Sequence, residues 1–253
     1  QVLDTLEGLG FKEPTDIQEQ TIPLALAGKD IIGGSATGSG KTLAFASPIM
    51  ENLEPNGTVQ SLIMAPTREL AEQVAESIKI FSKNKGLKVL PVYGGASIET
   101  QIKRLPRTDV VVGTPGRILD HLKRRTLRLD GVKILVLDEV DRMFDMGFKN
   151  DVEKIIDRCP SERQTMLFSA TISSGIDFLA KKHTKNAIEV AVESHIDHDK
   201  LKQVYYDVQP SSKFSLLIHL LKGEKSDLVM VFCNTRRSVD YVTKHLSKNG
   251  MEA

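Results

Sequence analysis

Short, almost wholly apolar runs recur along this 253-residue chain, separated by longer amphipathic stretches, and that alternation leaves few folds open. The runs are DIIGG (30–34), SLIMA (61–65), KVLPV (88–92), DVVVG (109–113), KILVLD (133–138), TMLFS (165–169) and AIEVAV (187–192). A strand with one wet face alternates polar and apolar residues, so continuous runs are expected of strands buried on both faces. Helical spacing fills the intervals at 41–53, 68–83, 97–105, 116–123, 141–157 and 173–183. Strand–helix alternation of this kind predicts an α/β domain, its mainly parallel sheet covered by helices on both faces.

The polar stretch ESHIDHDKLK (193–202) reads as a linker. Beyond it the pattern restarts, with strands expected at 204–208 and 228–233 and helices at 213–221 and 236–247. Two or three strands do not complete an α/β layer. The expected organisation is a domain over 1–192, a linker over 193–202 and the opening part of a second domain over 203–253. His195 and His198 in the linker have no ligand cluster beside them and read as solvated loop residues. The basic stretch KRRTLR (123–128) reads as a solvated helix end. With 34 basic and 33 acidic residues the net charge is +1, so any nucleic-acid binding must come from a local surface. Two distant cysteines, Cys159 and Cys233, give no disulfide framework and suggest a reducing compartment. No apolar run approaches the roughly 18 residues of a membrane span, and the N-terminus lacks a signal pattern. The expected location is cytoplasmic, or nuclear in a eukaryote.

Two motifs carry chemistry. The first, SATGSGKT, follows the first apolar run and opens a helix: Ser35, Ala36, Thr37, Gly38, Ser39, Gly40, Lys41 and Thr42. Backbone N–H groups in such a turn, with the helix N-terminus behind them, can cradle phosphates. Lys41 can reach the outer phosphates, and the Thr42 hydroxyl can ligate Mg2+. The second is VLDEVDRMFDMGF (136–148), which crowds Asp138, Glu139, Asp141 and Asp145 at the end of an apolar strand. Asp138 stands where a second magnesium anchor is expected, and Glu139 can orient or deprotonate an attacking water. Together the motifs point to nucleoside triphosphate hydrolysis. Upstream, GFKEPTDIQ (10–18) contains Gln18, whose amide can pair with the N6 and N7 edge of adenine, and Phe11, which can stack on the base. Gln18 can equally open a surface helix capped by Thr15 or Asp16.

These pieces, in this order, resemble a DEAD-box ATP-dependent RNA helicase. GFKEPTDIQ resembles the family's adenine-reading motif and SATGSGKT its phosphate loop. APTREL (65–70), GG (94–95) and TPGR (114–117) resemble its RNA-facing motifs. DEVD (138–141) stands where the family name is spelled, SAT (169–171) follows, and VFCNT (231–235) resembles the opening of a second RecA-like domain. The resemblance implies that the fold is RecA-like and that ATP and Mg2+ are the cofactors. It implies that Phe11, Lys12, Thr15 and Gln18 read adenine, and that residues 35–42 hold the phosphates. Thr42 and Asp138 would hold Mg2+, with Lys41, Asp138 and Glu139 catalytic. Asp141, Ser169, Ala170 and Thr171 would couple the nucleotide site to domain closure. Pro66, Thr67, Arg68, Gly95, Thr114, Pro115, Gly116 and Arg117 would grip RNA by its backbone. Arginines, hydroxyls and close-approaching backbone suit phosphate and read no base edge, so binding independent of sequence is expected. Each RNA-facing motif also has a local reading: Thr67 as a helix cap, and Pro115 at the first position of a helix.

Three departures from the family pattern stand out. Ser35 replaces the usual Ala, and Val140 replaces the Ala of DEAD. The chain ends shortly after VFCNT, before the later motifs that carry arginine fingers. By itself it is expected to bind adenine nucleotide, hydrolyse ATP slowly and not unwind duplexes. Two other readings compete: an ATP-gated RNA clamp or scaffold, and a DNA helicase or translocase of a neighbouring class.

Overall fold

In a computed structural model, residues 2–34, 38–171, 173–192, 202–225 and 228–252 are described. Ser35, Ala36 and Thr37 of the phosphate loop, and His195 and His198 of the expected linker, lie outside them. The chain divides into two compact units, Gln1–His195 and Ile196–Ala253.

The first unit opens with α1 (Val2–Gly8) and α2 (Asp16–Leu26), then β1 (Ile31–Gly34) and α3 (Lys41–Asn52). β2 (Ser61–Met64) and α4 (Arg68–Phe81) follow, then β3 (Val89–Val92) and α5 (Ile98–Arg104). Next come β4 (Val110–Gly113), α6 (Pro115–Lys123), β5 (Ile134–Leu137), α7 (Val140–Asp145) and α8 (Lys149–Ile156). β6 (Gln164–Ser169), α9 (Ser174–His183) and β7 (Ile188–Ala191) complete it. The strands form one seven-stranded sheet in the order β3-β4-β2-β5-β6-β1-β7, and every pairing is parallel.

Alternate residues of each strand feed opposite faces. Ile63, Val110, Val112, Ile134, Val136, Met166 and Phe168 pack against apolar side chains of α3 and α4. Leu62, Met64, Val111, Leu135, Leu137 and Leu167 pack against those of α6, α7, α8 and α9. Both faces are covered by buried apolar side chains, which is why the strands read as continuous apolar runs. Two buried carboxylates tie the other end of the sheet. Asp109 accepts from the backbone N–H groups of Asn56 (2.9 Å), Gly57 (2.8 Å) and Lys88 (2.8 Å). Asp30 accepts from those of Thr165 (2.7 Å) and Lys185 (2.6 Å).

The structure departs from the sequence reading in three places. The helix expected over 141–157 is two helices. Gly147 adopts φ 80°, and the Phe148 N–H turns back to the Met143 carbonyl at 2.9 Å, the left-handed closure that ends a helix. The helix read from 116 begins at Pro115, whose missing N–H costs nothing in the first turn. In the second unit, described by itself, α10 (Lys213–Gly223) and α11 (Arg236–Lys248) form, but the strands expected at 204–208 and 228–233 do not. A strand exists only through a paired neighbour, and no described residue supplies one; Tyr205, Leu228 and Phe232 stay exposed. Phe214, Tyr241 and His245 instead form a ring cluster between α10 and α11.

Asp109→Ala strands three N–H donors, two of them at one turn, and should cost about 2–4 kcal/mol. Thermal unfolding should shift down by roughly 6–12 °C for a domain of this size. An unchanged melting temperature would remove Asp109 from the list of groups that fix the sheet.

Candidate nucleotide and nucleic-acid site

Because the strands run the same way, the segments that follow β1 to β6 leave one edge of the sheet. The motif residues at 38–42, 65–70, 94–95, 114–117, 138–141 and 169–171 all lie at or just beyond strand ends there. A parallel α/β sheet binds its ligands beyond that edge.

Gly40 caps α3 in a left-handed conformation, φ 93° and ψ 13°, which a side chain would strain. Its missing Cβ also leaves the space that Gln18 occupies. Gln18 is buried, donates from Nε2 to the Gly40 carbonyl at 3.0 Å, and accepts at Oε1 from the Thr15 N–H at 3.1 Å. The Thr15 hydroxyl donates to the Ser39 carbonyl at 2.8 Å. Thus Thr15 and Gln18 are bonded to Ser39 and Gly40, and among the described residues one N–H of the Gln18 amide is left for another acceptor. Phe11 is exposed and meets the Phe81 ring edge-on at 6.1 Å; Lys12 is exposed.

Lys41, the first residue of α3, reaches Asp138 Oδ1 at 3.9 Å, and both side chains are almost fully buried. Asp138 extends β5 by one ladder bond, its N–H donating to the Met64 carbonyl at 2.9 Å. Its Oδ1 has no hydrogen-bond partner among the described residues. Burial pushes its carboxyl up to about 6, against the pull of the Lys41 ammonium and with a further push from Glu139. Glu139 follows in a left-handed conformation, φ 52° and ψ 55°, that glycine tolerates better. Its carboxylate is held by Arg142 Nη1 at 3.2 Å. Thr42 stands next to Lys41, half-buried.

Asp141 is bonded to the turn that follows β6. Its carboxylate accepts from the backbone N–H groups of Ala170 (3.0 Å), Thr171 (2.9 Å) and Arg142 (2.9 Å), and from the Thr171 hydroxyl (3.1 Å). Partial burial opposes ionisation, yet the donations from Arg142 and Thr171 hold the carboxyl below its ordinary value. Ser169 closes the hub, accepting from the Asp141 N–H at 3.3 Å and donating to the Thr171 carbonyl at 2.7 Å. Asp145 is exposed at the end of α7, and Val140 is fully buried in the core against α8 and α9. The residue that breaks the DEAD spelling is therefore a packing residue.

On the remaining loops, Thr67 caps α4 by accepting from the Leu70 N–H at 3.2 Å, and Pro66 before it is buried. Arg68 is exposed, its guanidinium 5.8 Å from the centre of the Tyr93 ring. Gly95 turns at φ 87° beside it. Thr114 caps α6, its N–H donating to the Val92 carbonyl at 3.0 Å; Gly116 is exposed. Arg117 Nη1 donates to the Ala96 carbonyl at 3.1 Å and to Gln101 Oε1 at 3.2 Å. Gln101 and His121 sit behind this surface, buried and bonded to each other. Neither belongs to a short motif, so nothing local in the sequence singles them out.

The sequence model of DEAD/DEAH box helicases matches residues 15–179. The chain is 42% identical over 255 residues to the DEAD-box ATP-dependent RNA helicase CshA of Bacillus subtilis (strain 168), covering 100% of this chain and 52% of that protein. It thus spans about half the length of that curated relative. It superposes on the crystal structure of a DEAD box protein from the hyperthermophile Methanococcus jannaschii with a TM-score of 0.74 and 42% identity, covering 98% of this chain and 68% of that one. With the motif residues gathered on one edge of a parallel sheet, these matches establish that the chain belongs to the DEAD/DEAH box helicase family.

Proposed function

We propose that this chain provides the ATP-binding and part of the RNA-binding surface of an ATP-dependent RNA helicase, with residues 203–253 opening a second RecA-like domain. The observation that carries this is the buried Asp138 carboxylate, whose Oδ1 lacks a hydrogen-bond partner among the described residues while facing Lys41 across 3.9 Å. A buried charge of this kind is costly unless a cation completes it. No group of three or more His, Cys, Asp or Glu that could hold a metal occurs among the described residues. One carboxylate and one hydroxyl suit Mg2+, which keeps waters and takes its remaining oxygens from phosphates.

Asp138 and Thr42 would hold Mg2+, and Lys41 the outer phosphates. Bound Mg2+ would neutralise charge that develops on the phosphate oxygens. Glu139, fixed by Arg142, would orient the attacking water and take its proton. Thr15 and Gln18 would report adenine to the phosphate loop through their bonds to Ser39 and Gly40. Asp141 would transmit the nucleotide state to the 169–171 turn. Thr67, Arg68, Gly95, Thr114, Gly116 and Arg117 would take RNA phosphates and sugars, which fixes register without reading sequence.

Lys41→Ala should abolish ATP binding in the intact protein. Glu139→Gln should keep ATP binding and lower RNA-stimulated hydrolysis by about 10²–10⁴-fold, the usual range for removing a general base. Stimulation by single-stranded DNA equal to that by RNA would favour a DNA translocase and overturn the RNA reading.

Asp138 makes a second prediction, of opposite sign for stability and activity. Without nucleotide, the folded protein keeps the Asp138 proton up to about pH 6, whereas the ordinary value is 3.8. The folded state therefore holds the extra proton between those values, and stability falls as pH rises through that window. Above it, the buried charge costs about 3 kcal/mol. Asp138→Asn should raise the melting temperature in EDTA at pH 7.5, give no gain near pH 4, and abolish hydrolysis. A lower melting temperature at pH 7.5 would show that the carboxylate is already satisfied without a cation.

A further inference from the structure

Behind the RNA-facing edge lies a buried polar cluster that joins two of its loops. Gln101, on the inner side of α5, donates from Nε2 to the Tyr93 carbonyl at 3.1 Å, in the turn after β3. That bond fixes which way the amide faces. Oε1 then points toward α6, where it accepts from Arg117 Nη1 at 3.2 Å and from His121 Nε2 at 2.9 Å. His121 is fully buried, and its Nδ1 lies 2.8 Å from the Thr126 hydroxyl. With its proton on Nε2 the ring stays neutral and Nδ1 is an acceptor, and the single hydrogen of the Thr126 hydroxyl is shared between Nδ1 and the His121 carbonyl, 3.2 Å away. Burial and the neighbouring Arg117 both disfavour the charged ring.

The cluster constrains one edge of a guanidinium. Arg117 Nη1 carries two hydrogens, one bonded to the Ala96 carbonyl and the other to Gln101. Among the described residues, Nε and Nη2 have no partner, and together they form the fork that meets a phosphate with two parallel hydrogen bonds. An untethered arginine samples many rotamers; one held at Nη1 presents that fork in a single direction. The two carbonyls belong to the 93–97 turn and the arginine to α6, so the same bonds also fix the spacing of two RNA-facing loops.

We propose that Gln101, backed by His121, is a positioning residue for RNA binding: it holds the Arg117 guanidinium so that its Nε–Nη2 edge faces the RNA backbone. This rests on the reading above that Arg117 contacts a phosphate. Gln101 is uncharged and buried, so it touches no RNA itself and acts through Arg117.

The test measures binding of labelled single-stranded oligouridylate to the intact protein, with Mg2+ and a non-hydrolysable ATP analogue, across a salt series. Arg117→Ala should weaken binding about tenfold and flatten the log affinity versus log salt slope by about 0.7, one single-strand phosphate contact. Gln101→Met, close in shape and without hydrogen bonds, should weaken binding about three- to tenfold. It should also flatten the slope in the same sense, although it removes no charge. In the Arg117→Ala background, Gln101→Met should change affinity by less than about twofold, because contacting residues that act as a unit are not additive. Affinity for the ATP analogue should not move. A purely structural Gln101 would instead leave the salt slope unchanged, or add its full loss to that of Arg117→Ala; either result overturns the proposal. If Arg117→Ala leaves RNA affinity unchanged, the RNA-contact reading fails, and the positioning role with it. Should Gln101→Met not fold, His121→Asn serves in its place: a smaller loss that vanishes with Arg117→Ala supports the proposal, and a loss that persists overturns it.

Discussion

A sheet whose strands all run one way has one edge at which every strand hands over to a loop, and that constraint organises the rest of this molecule. Each loop after β1 to β6 is short, so residues far apart in sequence are gathered along one edge. Lys41 and Asp138 are separated by almost a hundred positions, yet they meet at 3.9 Å. Asp141 and Thr171 come from neighbouring strand ends and share three hydrogen bonds when Ala170 is included. The opposite edge is closed by Asp30 and Asp109, which accept backbone donors where the strands begin. Structure is fixed at one edge, and chemistry is free to occupy the other.

The carboxylates of DEVD separate into three physical environments despite their adjacency. Asp138 is almost fully buried, and burial drives its carboxyl up to about 6. Asp141, three residues on, is held below its ordinary value by the hydrogen bonds it accepts. Between them Glu139 takes a left-handed backbone, which turns the chain sharply from β5 into α7 and lets the neighbouring acids face different surroundings. Strain of this kind in a non-glycine residue persists only where the surroundings over-determine it. Here the β5 ladder, the Asp141 hub and the buried Val140 fix both sides of the turn.

Much of this was legible in the sequence, because the relevant signals are local. The strands of the first unit are continuous apolar runs, and continuity follows from helices covering both faces. The phosphate loop, the acidic strand end and the capping threonines are short patterns with short-range causes. The break at Gly147 escaped because helical periodicity continues across it, and only the left-handed glycine interrupts the chain. The strands expected at 204–208 and 228–233 failed for a different reason: periodicity reports burial preference, while a strand also requires a neighbour. The sequence allows Gln18 two roles, as an adenine reader and as a residue that opens a helix. Its buried amide is bonded to Thr15 at the start of α2 and to Gly40 in the phosphate loop.

Gln101 and His121 mark the limit of such reading most clearly. Each looks like an ordinary residue of an amphipathic helix, and neither belongs to a motif that suggests a role. Their meaning arises only when the parallel order places β3 beside β4, which brings the 93–97 turn against α6. The buried amide then donates to the Tyr93 carbonyl and accepts from both His121 and Arg117, and the last of these bonds holds Arg117 by one nitrogen. A polar residue buried among loops that face a ligand is constrained by what those loops must hold still. Hydrogen-bond satisfaction behind a binding surface is therefore informative about the surface itself, since the side chains that meet a ligand can be no better ordered than the groups that anchor them.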